Sequence, residues 1–409
     1  MRSDLFETDH EDYRRTVREF VKRRVVPNMG RWDADRLIDR DTWRAAGAQG
    51  LLGLSVPVEH GGADERDYRY RVVVQQEIAR VGAAALQSGF TTNDDIALSY
   101  LLRHADAEQR GRWLAGFVTG ETIGAIAMSE PAAGSDLRGV RTTAVRDGDD
   151  WVLNGSKTFI TSGILADLVI VFARTGEDAG SRAFSLFVVE NGTPGFTRGR
   201  KLDKVGLHAQ DTAELFFDNA RVPAANLLGE VGEGLPALMR SLPLERLGIA
   251  LSAQFSAEAV LEWTVEYVRQ RRAFGKRIGD FQAPAFKLAE LSTAVEVSRA
   301  FLDRCVREYN AGTLTATDAA KAKLWATDLQ HEVIDAGVQL HGGYGYMMEY
   351  PVAKAFVDAR IQRIYGGTSE IMKEIIQREL IGRSLRPRRR PRGPEPPGRR
   401  LRAGRYPAR

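Results

Sequence analysis

Hydrophobic positions fall into two textures along this chain. Over residues 1–121 they recur at helical spacing: Tyr13, Val17, Phe20 and Val21 share one face, which Arg24 continues. A Gly/Pro-rich turn, Pro57-Val58-Glu59-His60-Gly61-Gly62, interrupts that pattern. From Thr122 short β-branched and aromatic runs appear between turn signals. They are Trp151-Val152-Leu153 before Asn154-Gly155, Leu168 to Phe172, Phe184 to Val189, and Leu215-Phe216-Phe217. After the glycine-rich stretch Gly229 to Gly234 helical spacing returns and runs to about Gly382, with an uninterrupted helix predicted from Glu245 to Arg272. The pattern predicts a mostly α fold with a central β domain. A helical domain spans 1–121, a mostly antiparallel β domain 122–228 and a second helical domain 229–382.

Composition sharpens this picture at three points. The apolar run Leu165 to Ala173 is about half the length a bilayer span needs, so it predicts a buried strand and no membrane-spanning helix is expected. Arg383 to Arg409 holds eleven arginines, six prolines and one acid, Glu395; of the formal +4 of the whole chain this tail carries +10, leaving −6 on residues 1–382. The tail is expected to be disordered, and a specific nucleic-acid partner is not expected, because the basic excess is confined to it. Cys305 is the single cysteine and no Cys/His cluster has ligand spacing, so neither a disulfide nor a metal site is expected. The acidic first residues, Asp4 to Asp12, do not read as an apolar signal core, and the expected compartment is the cytoplasm.

Candidate chemistry begins at Ala127-Met128-Ser129-Glu130-Pro131-Ala132-Ala133-Gly134-Ser135-Asp136. Its small residues allow backbone N–H groups close to a ligand, and its serines add donors. The segment belongs to a longer ordered series: VPVEHGG at 56–62, AMSEPAAGSD at 127–136, WVLNGSKTFITSG at 151–163 and KVGLHAQDTAELFFDNARVP at 204–223. YVRQRRAFGKRIGDFQ at 267–282, QLHGGYGYMMEYP at 339–351 and IYGGTSEIMKEII at 364–376 complete it. Together these blocks resemble the acyl-CoA dehydrogenase family, in particular its long-chain branch, over residues 5 to 382.

The resemblance implies a fold of N-terminal helical domain, middle antiparallel β domain and C-terminal four-helix bundle, with FAD as cofactor. Ala127, Met128 and Ser129 would meet the flavin, with Ser135 near phosphate and substrate. Phe159, where many members carry Trp, would cover the ring with Ile160 and Thr161. Arg271, Phe274 and Gln282 would reach the FAD of a neighbouring subunit, while Gln339, Gly342 and Gly343 grip its pyrophosphate or adenosine half. Thr368 and Glu370 complete the cofactor set. A cofactor shared across subunits implies a homotetramer, and electrons would pass to an electron-transferring flavoprotein.

Many members carry their catalytic glutamate in Tyr-Glu-Gly-Thr; here that stretch is Tyr365-Gly366-Gly367-Thr368 and the carboxylate is missing. Leu242-Pro243-Leu244-Glu245-Arg246 instead resembles the long-chain and isovaleryl arrangement, in which an earlier helix supplies the base. On this likeness Glu245 removes the α-proton, while Arg246, Ser135, Gly366 and Gly367 serve the substrate. The β-hydrogen passes as hydride to flavin N5, giving a trans-2-enoyl thioester. Because a free carboxylate is a weak base for such a proton, a dry pocket that raises its pKa is expected. His60 and His208 read as ordinary loop residues, and His341 flanks the cofactor glycines. Three other readings stay open at this point: a dehydrogenase of thioesters on an acyl carrier protein, a flavin-dependent monooxygenase, and a basic nucleic-acid binder resting on the tail alone.

Overall fold

The computed structural model describes residues 4–176 and 180–382. The Arg/Pro-rich tail lies outside the described residues. Helices α1 (Thr8–Phe20), α2 (Met29–Asp35), α3 (Arg40–Ala48), α4 (Tyr68–Arg80), α5 (Ala84–Phe90), α6 (Ser99–His104) and α7 (Ala107–Thr119) come first; a π-helical segment, Thr91–Leu98, joins α5 to α6. Local chemistry fixes their ends. Asp39 accepts from the Thr42 N–H to start α3, and Asp106 with Gln109 forms a capping box on α7. Helix α7 stops at Gly120, whose φ of 73° is left-handed; a Cβ there would lie 2.2 Å from the Trp43 carbonyl oxygen, so only glycine fits. The predicted stripe holds, with Val17, Phe20 and Val21 all buried.

Eight strands follow: β1 (Gly124–Ala127), β2 (Thr143–Asp147), β3 (Asp150–Thr161), β4 (Leu168–Arg174), β5 (Phe184–Glu190), β6 (Phe196–Lys201), β7 (Thr212–Pro223) and β8 (Leu227–Leu228). Their order is β6-β7-β3-β2-β4-β5-β8, with β1 parallel to β4 and most other pairs antiparallel. Strand β4 explains its own unbroken apolar run. Leu168, Ile170 and Phe172 enter a core shared with Leu101, Trp113 and Phe117 of the first domain, whereas Val169, Val171 and Ala173 enter the sheet's own core with Trp151 and Leu215. Both faces are covered, so alternation disappears.

The sequence reading of Asn154-Gly155 as a turn is corrected here. Both residues lie inside β3, at a bulge where its register against β7 shifts between Leu153 and Gly155. Gly155 sits at φ 147° and a Cβ would come within 2.7 Å of the Thr142 Cα, so the glycine serves close strand approach.

The last domain holds α8 (Gly234–Gln270), a small hairpin of β9 (Arg272–Ala273) and β10 (Lys276–Arg277), α9 (Gln282–Asn310), α10 (Ala316–His341), α11 (Pro351–Ala359) and α12 (Ser369–Gly382). Helices α8, α9 and α10 pack on one another, and α12 joins through α10. Helix α8 starts eleven residues before the predicted Glu245, at Gly234. Pro243 is carried inside it: the missing N–H removes one ladder bond, and burial of Leu238, Leu242, Leu244 and Leu247 offsets that loss.

Candidate active site

Glu245 sits two residues beyond Pro243 on α8 and is 3% exposed. Loss of water pushes its carboxyl up from 4.5 to about 7, against smaller opposing effects of a Tyr100 hydrogen bond and the Arg246 charge. The dry pocket with a raised pKa is therefore present. Arg246, also buried, turns away toward the chain ahead of α12: its Nε donates to the Gly366 carbonyl at 3.3 Å. Lys323 of α10 donates from Nζ to the Gly367 carbonyl, and burial beside Arg246 brings its pKa down to about 8. Two cations thus hold Gly366 and Gly367 by their carbonyls while both glycines are left-handed, at φ 63° and 95°. An added Cβ on Gly366 would lie 2.4 Å from Ile249 Cδ1, one turn beyond Glu245 on α8. Ile249, on the same helix as Glu245, therefore fills the space a side chain at 366 would take. Thr368 opens α12, its hydroxyl accepting from the Ile371 N–H; Glu370, exposed, stands in the first turn.

A second group forms on the β domain. Ala127 ends β1, and Met128, Ser129 and Glu130 run on beside β3. The Thr158 N–H donates to the Ser129 carbonyl at 3.0 Å, in place of a partner on β7. There the register shifts again, between Lys157 and Ile160. The bulge places Phe159 at φ 60°, with its ring 69% exposed while Ile160 is buried and Thr161 half-buried. A bulky residue in left-handed backbone is rare and costly. Beneath it Lys157, fully buried, reaches the Met128 carbonyl at 3.0 Å and the Glu130 carboxylate at 2.9 Å. Glu130 also accepts from the N–H groups of Arg141 and Thr142. Ser135 lies exposed at the far side of this loop.

The remaining positions gather on the outside of the last domain. Arg271 ends α8 with its guanidinium over the Tyr344 ring at 5.7 Å; Phe274, in the β9–β10 hairpin, is 95% exposed. Gln282, Gln339, Gly342 and Gly343 are exposed too, and a Cβ on either glycine would meet nothing within 4 Å. His341 is buried, stacked on Tyr267 with ring centroids 4.2 Å apart and its Nδ1 against the Gly337 carbonyl. It supports the loop from within.

Within one chain the structure thus joins Glu245, Arg246, Gly366 and Gly367, and separately Ala127 to Ser129 with Phe159 to Thr161. It leaves Arg271, Phe274 and Gln282 facing outward. Sequence reasoning missed Tyr100, Lys157, Glu130 and Lys323. Lys157 does not stand out in a strand that holds several other polar residues, and Tyr100 and Lys323 each meet their partner across a long sequence gap.

Residues 7–121, 125–220 and 232–381 match the N-terminal, middle and C-terminal domains of acyl-CoA dehydrogenase. The chain is 48% identical over 379 residues to the mitochondrial long-chain specific acyl-CoA dehydrogenase of Sus scrofa, covering 92% of this chain and 87% of that one. An acyl-CoA dehydrogenase from Geobacillus kaustophilus has the same fold with a TM-score of 0.90 at 45% identity, over 93% of this chain and 100% of that one. A glutaryl-CoA dehydrogenase from Mycobacterium smegmatis, solved with FADH2, gives a TM-score of 0.86 at 30% identity, over 92% and 96%. Matched in all three domains, the chain belongs to the acyl-CoA dehydrogenase family, FAD-dependent oxidoreductases that dehydrogenate acyl-CoA thioesters.

Proposed function

We propose that this chain dehydrogenates a long-chain acyl-CoA with Glu245 as the base. The observation that carries this reading is a carboxyl 3% exposed, with its pKa at about 7, on the helix whose Arg246 and Ile249 meet Gly366, where a catalytic glutamate is missing. A carboxylate of that basicity is matched to neutral pH, and removing the α-proton needs such a match. Arg246 and Lys323 act on the Gly366–Gly367 backbone, so they set where its N–H groups face the thioester carbonyl. Gly366 carries no side chain, and Ile249 fills the space that one would take.

The residues present fit FAD. Phe159 is held in left-handed backbone with an open ring face, next to the Met128–Ser129 backbone that Lys157 and Thr158 lock in place. In that position the ring would cover the isoalloxazine and exclude water, with Ser129 and Thr161 as hydroxyl donors. Bound FAD supplies the two-electron acceptor, taking the β-hydrogen as hydride at N5. Arg271, Phe274 and Gln282 would serve a neighbour's FAD; the outward course of all three supports a homotetramer. We further assign the helical, β and helical units to 1–121, 122–228 and 229–382, electron transfer to an electron-transferring flavoprotein, and a cytoplasmic location, which suits a chain with one buried cysteine. Among the described residues no helix is long and apolar enough to cross a membrane.

Anaerobic bleaching of the flavin by acyl-CoAs from C4 to C18, and by the same acyl groups on acyl carrier protein, tests the substrate. Fastest bleaching by CoA thioesters of about C12 or longer is expected; preference for the carrier protein, or for C4, contradicts the reading.

A further inference from the structure

Tyr100 stands where the π-helical segment Thr91–Leu98 passes into α6, and its side chain is fully buried. Its phenol donates a 3.0 Å hydrogen bond to Oε1 of Glu245, 145 residues later in the chain. Among the described residues no other hydrogen bond reaches this carboxyl. Arg246, the neighbouring cation, spends its Nε on the Gly366 carbonyl instead. An ionised carboxylate only accepts hydrogen bonds, so the phenol must be the donor and must engage one defined oxygen. A charge-assisted bond in a dry site also fixes the side chain's rotation.

We propose that Tyr100 is a positioning residue for the dehydrogenation: it holds the Glu245 carboxylate by Oε1 and leaves Oε2 as the oxygen that takes the α-proton. The inference rests on the reading of Glu245 as base. In the step, the α-C–H bond breaks and its proton forms an O–H bond on Oε2. The electron pair of that C–H bond becomes the α,β double bond, and the β-hydrogen leaves with its own pair to the flavin. Removal of the phenol frees the carboxylate to rotate and takes a donor from its ionised form, so the carboxyl keeps its proton to higher pH. Other groups face the pair and stay in place. Arg246 and Ser241 come from α8, Arg103 and His104 from α6, whose His104 ring lies 6.2 Å from Tyr100, and Lys323 of α10 lies behind Arg246.

The test uses the FAD-loaded enzyme in three variants: Tyr100→Phe, which keeps the ring in its packing, Tyr100→Leu, which does not, and Glu245→Gln. Two quantities are followed from about pH 5.5 to 9. One is the limiting rate of anaerobic flavin reduction by palmitoyl-CoA; the other is the carboxyl C=O infrared band of substrate-free enzyme, with the Glu245→Gln spectrum subtracted. In both Tyr100 variants the acid limb of the rate and the infrared midpoint should move up together by about one pH unit. At a pH below both midpoints, this lowers the rate about tenfold. A Tyr100→Phe enzyme with unshifted limb and midpoint overturns the proposal. So does a pH-independent loss seen with Leu and absent with Phe, since that pattern belongs to packing alone. Wild-type flavin reduction in Glu245→Gln would instead remove the base reading, while the infrared midpoint still reports the bond from Tyr100.

Discussion

Burying Glu245 gives a base suited to neutral pH and places a strain on the fold. Its folded pKa of about 7 lies above the ordinary 4.5, so the folded chain binds this proton more tightly than the unfolded chain. The resulting stabilisation is complete below about pH 4.5 and disappears as pH rises through 7. Glu245→Gln, which does not titrate, should therefore gain thermal stability relative to wild type as pH rises, by up to about 3 kcal/mol at pH 8. Melting curves at pH 5 and pH 8 check this: a difference between the two proteins that stays the same at both values contradicts the burial argument. The neighbouring glycine makes a second case. Moving the carboxylate across, with Glu245→Gly and Gly366→Glu, places a side chain at φ 63°, against Ile249 Cδ1. The left-handed backbone costs about 1–2 kcal/mol, and the isoleucine can rotate away. Partial flavin reduction with a lowered melting temperature is expected; a stable double variant with no reduction at all would show that the two positions do not reach one carbon.

Among the elements, β3 shows what the sequence conceals. The unbroken run in β4 was readable, because an apolar segment of strand length predicts two covered faces. In β3 Asn154-Gly155 mimics a turn, and only pairing with β7 over both sides of the bulge shows the strand to be continuous. Helix α8 likewise carries Pro243 in its interior, where the packing of the leucines around it outweighs the lost N–H. Ser129, Phe159 and Thr161 were legible through a resemblance of contiguous motifs. Lys157 with Glu130, which hold those motifs together, are 27 residues apart and were not. Lys157→Met leaves Glu130 buried without its cation and should cost about 3–5 kcal/mol, with loss of bound FAD on gel filtration. Lys157→Met combined with Glu130→Gln should regain much of this. Equal destabilisation by the single and double variants would show that the pair does not act as a unit.

At the scale of the molecule, the last domain leaves several rings and a thioether exposed: Phe274, Phe286, Tyr344, Tyr346 and Met348. In the proposed tetramer these side chains would meet a neighbouring subunit, beside Arg271 with its guanidinium over Tyr344. Light scattering of the FAD-loaded protein should give a tetramer, and Phe274→Asp should lower both the assembly state and FAD retention. A wild-type monomer that keeps its FAD would contradict the shared site. The proposed reaction turns on one carboxyl placed from α8, and Glu245→Gln measures that placement most directly. In anaerobic stopped-flow with palmitoyl-CoA, the variant should retain FAD and bind substrate, yet reduce its flavin at least about 10⁴-fold more slowly than wild type, at or beyond the usual upper cost of losing a general base. Reduction within tenfold of the wild-type rate would contradict the account.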